Sequence, residues 1–408
     1  MRWLEANLVY FITPLSIVAV IISILHGGNW VWFGLALFAA NIVFDTLLAF
    51  HTKGAPQNKA GKSLGSPLLL TTLLYSSVIL QVVLAWRVWQ YVQGIPVEVL
   101  TWQGLNNLLP TQFAATQGLA YVNGITGWQL VGTTLATGIF QGLGIIFGHE
   151  LSHTKGFGFL LSRLIMGLSG AAHFSYAHVY NHHTDLGDEI DAATAPRGRS
   201  LYTHVILSHI GQSAFSKQLE IKRLTKQGYG FWTWRNRWLR GYLISLPSVV
   251  LYALAGGWLG LAVLLTVWVI ANFELEVLNY VEHYGLIRAK GQPIEPRHSW
   301  ENDTAFTSWA FIEIGKQPDH HVHGETHFWE LRSLSHEPNK QAPNYGFGYY
   351  TALVLALIPP IWHAVLKRKL AVWDRDFASP EEQKLAHEAN LKAGYLSPED
   401  YRINPVSA

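Results

Sequence analysis

The chain has 408 residues, half of them hydrophobic, with only 14% charged residues and a formal net charge of +2, against about 25% charged residues in ordinary soluble domains. Near-neutral charge argues against a nucleic-acid partner. The lack of cysteine excludes a disulfide framework, a thiolate nucleophile and a Cys-ligated iron–sulfur or rubredoxin centre within this chain.

Apolar runs at 8–25, 31–50, 67–86, 130–148, 241–256 and 258–278 each approach or reach the ~20 residues that cross a bilayer core. The first lacks a cleavage site and leads directly into the second, which marks it as an anchor. A further stretch, 349–366, is interrupted by Pro359–Pro360 and is expected to associate with the membrane without fully spanning it. Arg2, Lys53, Lys59 and Lys62 flank the first spans, 93–127 has no Lys or Arg, and most of the 29 Lys and Arg residues fall in 150–240 and after 281. The positive-inside rule then places the N-terminus, the 51–66 loop, 150–240 and the C-terminal third in the cytoplasm. The expected fold is an all-α integral membrane protein. About six transmembrane helices cross the inner (cytoplasmic) membrane beneath a cytoplasmic helical cap, with domain 1–366 followed by a cytoplasmic tail, 367–408. In the tail, Ser379, Pro380 and Glu382 spell an N-cap, a first-turn proline and a capping-box acid, opening a helix that Gly394 closes. That helix would cover the cap or dock a redox partner.

Nine of the nineteen histidines gather in four segments: "GHELSH" (His149, His153), "HVYNHH" (His178, His182, His183), "NYVEHYG" (His283) and "QPDHHVH" (His320, His321, His323). All fall on the cytoplasmic side of a topology derived from charge alone. Residues i and i+4 share a helix face, so His149/His153 and His178/His182 can each reach one ion while His183 serves a neighbour. One ion cannot use eight such ligands, so a dimetal site is implied. Imidazole-rich coordination suits Zn, Cu or Fe and disfavours Ca or Mg. Read alone, HExxH would make an intramembrane zinc metalloprotease with Glu150 as general base, but that leaves the remaining histidines without a role. Glu150, Glu276 and Asp188 are the acids expected nearest the chemistry. Glu276 and Asp188 are expected to accept the second ring N–H of metal-bound imidazoles.

"NYVEHYGLIR" (279–288), preceded by Glu276, resembles the signature of the histidine-rich integral-membrane di-iron hydrocarbon hydroxylases. "HFWELRS" (327–333), "ALIPPIW" (356–362) and the tail 372–395 are similar to the xylene monooxygenase branch more than to alkane 1-monooxygenases, and the resemblance covers nearly the whole chain, "APRG" (195–198) included. Fatty-acid desaturases are a more distant resemblance. The resemblance implies two non-haem Fe ions that use O2 to hydroxylate a terminal or benzylic methyl group of an apolar hydrocarbon drawn from membrane lipid. It also implies NAD(P)H-derived electrons from a separate rubredoxin or flavin/[2Fe–2S] reductase, with a lipid desaturase or hydroxylase as the alternative. It assigns His149, His153, His178, His182, His183, His283, His320 and His321 as ligands. The last box of the family is usually H-x-x-H-H, and its first position here is Gln317, a weaker neutral oxygen ligand or a hydrogen-bond donor to metal-bound water. The Q-x-x-H-H form resembles the last box of front-end desaturases. Phe44, Leu47, Phe140 and Phe147 are expected to line the substrate pocket. Gly138, Gly142, Gly144 and Gly148 allow close helix approach.

Overall fold

A computed structural model describes residues 2–52, 54–58, 62–93, 121–122, 125–336, 339 and 341–396. The Lys- and Arg-free loop between spans 3 and 4 lies almost wholly outside these residues, as do Lys53 and Lys59. Helices long and apolar enough to cross a membrane are Val9–His26, Gly28–Leu47, Pro67–Gln93, Gly127–Ser152 and Arg237–His283. We call their α-helical parts α1 (Ile12–His26), α2 (Phe33–Leu47), α3 (Pro67–Gln93), α4 (Gly127–Ser152) and, after α5 (Phe157–Leu168) and α6 (Leu201–Lys226), α7 (Arg237–His283). A two-residue strand pair, Tyr121–Val122 with Ile125–Thr126, precedes α4.

Helix α7 accounts for two of the expected passes. Its 47 residues would measure about 70 Å if straight, far beyond a hydrocarbon core of about 30 Å. Gly257 breaks it with a left-handed φ of 55°, a conformation open to glycine. The two halves then run back along each other. Ser245 donates to the Gly167 carbonyl at 2.9 Å, and Trp268 donates to the neighbouring Leu168 carbonyl at 2.7 Å. In a straight helix those two side chains would sit roughly 35 Å apart. The apolar runs 241–256 and 258–278 are therefore separate passes joined by one glycine rather than a loop. Gly27 and Gly28, both at positive φ, make the equivalent tight reversal between α1 and α2.

Helix α4 is the centre of the bundle, 83% of its most apolar window being buried, against 22–44% for the other spans. Its glycine stripe explains the closeness. A Cβ on Gly138 would stand 2.8 Å from Ile270, and one on Gly148 would stand 2.8 Å from Met166. One on Gly142 or Gly144 would overlap the side chains of Glu274 and Gln81. Small residues are what permit helix backbones to approach within a bilayer, where no hydrophobic effect drives them together.

The cap is built from α5, α6 and the segments after α7: α8 (Gln317–Val322), α9 (Tyr349–Ala356), α10 (Pro359–Asp376) and α11 (Pro380–Lys392). The 349–366 stretch does break, α9 ending at Ala356 and Pro359 opening α10. Helix α10 continues unbroken across residues 366 and 367. The capping box at Ser379 and Glu382 forms as expected. Two buried arginine and histidine clasps hold the tail. Arg197 of "APRG" grips Asp374 at 2.6 and 2.8 Å, Asn390 at 2.7 Å and the Gly285 carbonyl at 2.8 Å. Glu382 receives His298 at 2.7 Å and Arg297 at 3.0 Å. Burial raises the Glu382 carboxyl, but His298, the Ser379 N–H and Arg297 outweigh it and hold the group at about 2 against an ordinary 4.5.

Two outcomes follow. Gly138→Ala should cost about 1–3 kcal/mol by overpacking against Ile270, read as a lowered thermal midpoint in detergent. Because the Glu382 carboxyl is depressed, its stabilisation is complete above pH 4.5 and is lost as pH falls toward about 2. Glu382→Gln should abolish that acid step and expose α11 to limited proteolysis at neutral pH.

Candidate metal centre

Helix α4 leaves the apolar core at its C-terminal turn, and there it presents His149 and then His153, ring centroids 5.4 Å apart. The next imidazoles come from a single π-helical turn, His178–His182. Such turns hold a wider loop of backbone and recur at functional sites. The last residue of α7 gives His283, and α8 gives His320 and His321. These side chains converge into two groups. His149, His153, His178 and His320 form one, and His182, His283 and His321 form the other, with ligand atoms in each within 4.8 Å of one another.

The grouping differs from the sequence expectation at one point. His178 and His182 were expected to share an ion, as i and i+4 on an α-helix. The π turn sends them to different groups and instead brings His183 Nε2 to 3.1 Å from His178 Nε2. His183 stands between the groups, its ring 4.9 Å from that of His320 and 4.5 Å from that of His321.

The chemistry of these nitrogens fits a pair of cations. Nε2 atoms approach to 3.0 Å between His153 and His178 and to 3.1 Å between His182 and His283. Buried ring nitrogens of His149, His178, His283, His320 and His321 have no hydrogen-bond partner. Leaving such groups unmatched costs about 1–3 kcal/mol each, and a shared transition-metal ion removes the mismatch at inward-facing nitrogens such as Nε2 of His149 and His320. Burial, followed by the neighbouring imidazoles, pushes His178, His183, His320 and His321 well below the ordinary histidine range. They are neutral lone-pair donors, the form that ligates.

The acids are placed differently from one another. Asp191, not Asp188, contacts an imidazole: its carboxylate lies 2.8 Å from His182 Nδ1 and accepts from Thr194 Oγ1 at 2.7 Å. Burial raises Asp191, but His182, Thr194 and the Ala193 N–H outweigh it and keep the carboxyl below its ordinary value. Asp188 sits one turn earlier, where it accepts from the Ile190 N–H at 3.3 Å and its carbonyl receives the Asp191 N–H at 3.1 Å. Glu276 lies seven residues before His283, about 10 Å along the helix. It is held by Gln212 at 3.0 Å and Asn279 at 3.0 Å, beside His173 and His209 rather than the eight clustered imidazoles. Glu150 accepts the Phe328 N–H at 3.2 Å, and its hydrogen bond raises His327 above the ordinary range. Glu150 also lines the small cavity beside His149 and His320. Gln317 is buried with an unpartnered Oε1. His323 pairs with Asp319 at 2.9 Å, outside both groups.

Two features were not legible from local patterns. His51 and His336 both bond Asp303, at 2.7 and 2.6 Å, tying the 51–66 loop to the segment after α7. A cavity beside His149 and His320 is walled by Ile146, Ile312, Ile314, Phe328 and Leu331. Of the aromatic residues expected to line a pocket, Phe140 and Phe147 are buried in the bundle core, while Phe44 and Leu47 face outward, 46% and 71% exposed. The walls come instead from Ile146 of α4 and from the cap. Ile312 and Glu313 hold positive φ, 45° and 61°, a costly state for a β-branched residue and one that concentrates at functional sites. Buried Glu313 is fixed there by Lys316 at 2.7 Å and by the Tyr10 hydroxyl at 2.9 Å.

Comparison with known proteins bears on this centre. The fatty acid desaturase family model matches residues 126–352, from the start of α4 into α9, and so includes every candidate ligand. The xylene/toluene monooxygenase hydroxylase component of Pseudomonas putida is 30% identical over 391 residues, 95% of each chain. Alkane 1-monooxygenases 1 and 2 of Pseudomonas aeruginosa are 33% and 32% identical, covering 65% and 64% of this chain and 70% and 68% of theirs. The imidazole-rich centre, the membrane bundle and these matches together make this chain a member of the fatty acid desaturase family, in the branch of integral-membrane hydrocarbon hydroxylases.

Proposed function

We propose that the protein is an O2-dependent monooxygenase that hydroxylates a terminal or benzylic methyl group of a hydrocarbon, either an alkylaromatic or an n-alkane. The observation that carries this reading is two buried imidazole groups against an apolar cavity at one end of a membrane bundle. His149, His153, His178 and His320 would hold one Fe, and His182, His283 and His321 the other, with His183 between them and Gln317 at the edge. A pair of bound Fe ions supplies the one-electron chemistry that activates O2. The protein's own share is placement. Ile146, Ile312, Ile314, Phe328 and Leu331 line a space about the size of one water molecule beside His149 and His320, which must open to admit an alkyl group. Asp191 fixes the ring orientation and tautomer of His182 through Nδ1.

Electrons would derive from NAD(P)H through a separate flavin/[2Fe–2S] reductase or rubredoxin, since this chain has no cysteine to hold such a centre. A second cleft, lined by His153, Lys155, Tyr180, His183, Gly324 and Glu325, reaches the centre from the cap side and suits approach of a carrier. The Lys- and Arg-rich segments at the same end of the bundle support an inner-membrane protein with its centre in the cytoplasm. The zinc-protease reading needs one ligand beyond His149 and His153 and leaves most of the two imidazole groups without a role.

Metal analysis should find about two irons per chain. Cells supplying a reductase should convert octane, toluene or p-xylene to the primary or benzylic alcohol. One zinc per chain, or turnover without O2, would sink the reading. Alkene products would reassign it to desaturation. His320→Ala and His321→Ala should lose iron, and Asp191→Asn should weaken metal retention about 10–100-fold, measured by chelator competition. Ile312→Ala should widen the cavity and raise the ratio of p-xylene to octane turnover; an unchanged ratio would remove that wall from the substrate path.

A further inference from the structure

The two imidazole groups are unequal. One gathers four rings and the other only three, His182, His283 and His321. Beside the three-membered group lie two oxygens that are buried and lack hydrogen-bond partners, Gln317 Oε1 and Glu282 Oε1. Glu282 immediately precedes His283, and its Oε2 lies 3.9 Å from His283 Nε2. That nitrogen is the one that approaches His182 Nε2 at 3.1 Å, so the carboxylate lies beside the group, just outside the 4.8 Å within which its three imidazoles gather.

The surroundings of Glu282 supply no counter-charge. Its side chain is 5% exposed, and among the described residues its ion-pair contact is His283 itself. The polar groups facing it, Gln317 and Tyr349, are neutral. A carboxylate buried without a cation is costly, and the Arg and Lys clasps that satisfy Asp374, Glu382 and Glu313 elsewhere have no counterpart here. A metal ion at the three imidazoles would provide the missing positive charge. Carboxylate oxygen is an ordinary partner to imidazole in two-histidine or three-histidine iron sites.

We propose that Glu282 is an oxygen ligand of the cation held by His182, His283 and His321, filling the place that a fourth imidazole fills in the other group. The neutral amide of Gln317 then serves mainly to border the carboxylate. The two ions would sit in different fields, one of nitrogen donors alone and one of nitrogen with anionic oxygen. This inference rests on the two-iron reading of the centre.

The test is Mössbauer spectroscopy and iron counting on the full chain in lipid nanodiscs, loaded with 57Fe. The wild type should show two quadrupole doublets of equal area. Glu282→Ala should lose one of the two irons under mild chelation and keep the other doublet unchanged, and Glu282→Ala with Gln317→His should regain the lost iron. Gln317→Ala alone should cost less than Glu282→Ala. If Glu282→Ala and Glu282→Gln both keep two irons with wild-type doublets, the assignment falls. Loss of both irons in each of those variants also overturns it. Equal losses in Gln317→Ala and Glu282→Ala would reduce Glu282 to a positioning role, which likewise overturns ligation. A wild-type chain that never holds two irons overturns the reading of the centre itself, and the Glu282 ligand with it.

Discussion

Convergent imidazole lone pairs repel one another unless something positive lies between them, and this constraint organises the molecule. Nitrogens 3.0–3.1 Å apart in a buried site are matched either by an N–H···N bond between neutral tautomers or by a shared cation. Protonation is no remedy, because burial and mutual repulsion both disfavour the charged ring. The protein therefore has to hold the rings in place against their own repulsion. It does so by attaching them to the ends of its most rigid elements: the last turn of α4, the last residue of α7 and the short helix α8.

Rigidity at those ends depends on the bilayer half. Helix α4 can occupy the centre because its glycines admit Ile270, Glu274, Gln81 and Met166 at distances no larger side chain allows. The reversal at Gly257 returns the second half of α7 to the same membrane face where α4 ends, so His283 arrives beside His182. The cap is then closed from the far side. Arg197 links the Gly285 carbonyl, two residues past His283, to Asp374 and Asn390, making the tail helices part of the support for the centre rather than an appendage.

The strained pair Ile312–Glu313 belongs to the same logic. The ion pair with Lys316 and the Tyr10 hydroxyl anchor Glu313 in a backbone state that would otherwise relax. The result turns Ile312 and Ile314 toward His149 and His320. Two residues of the apolar wall, Ile312 and Ile314, and two of the imidazoles, His320 and His321, thus come from one short stretch.

Much of this was present in the chain as local pattern. Apolar runs and the four histidine segments depend on neighbours in sequence, so the all-α membrane bundle, the gathering of the histidines and the tail capping box could be read from residues alone. Gln317 was likewise visible as a departure from the H-x-x-H-H pattern. Tertiary structure decided the rest. A π turn separated His178 from His182, a bend of three residues made Asp191 rather than Asp188 the partner of His182, and two helical turns carried Glu276 away toward His173 and His209. The cavity walls came from Ile146 and the cap instead of Phe44 and Leu47. Each of these depends on which side chains meet across long sequence separations, and helical periodicity gives a residue's direction without saying what stands opposite it.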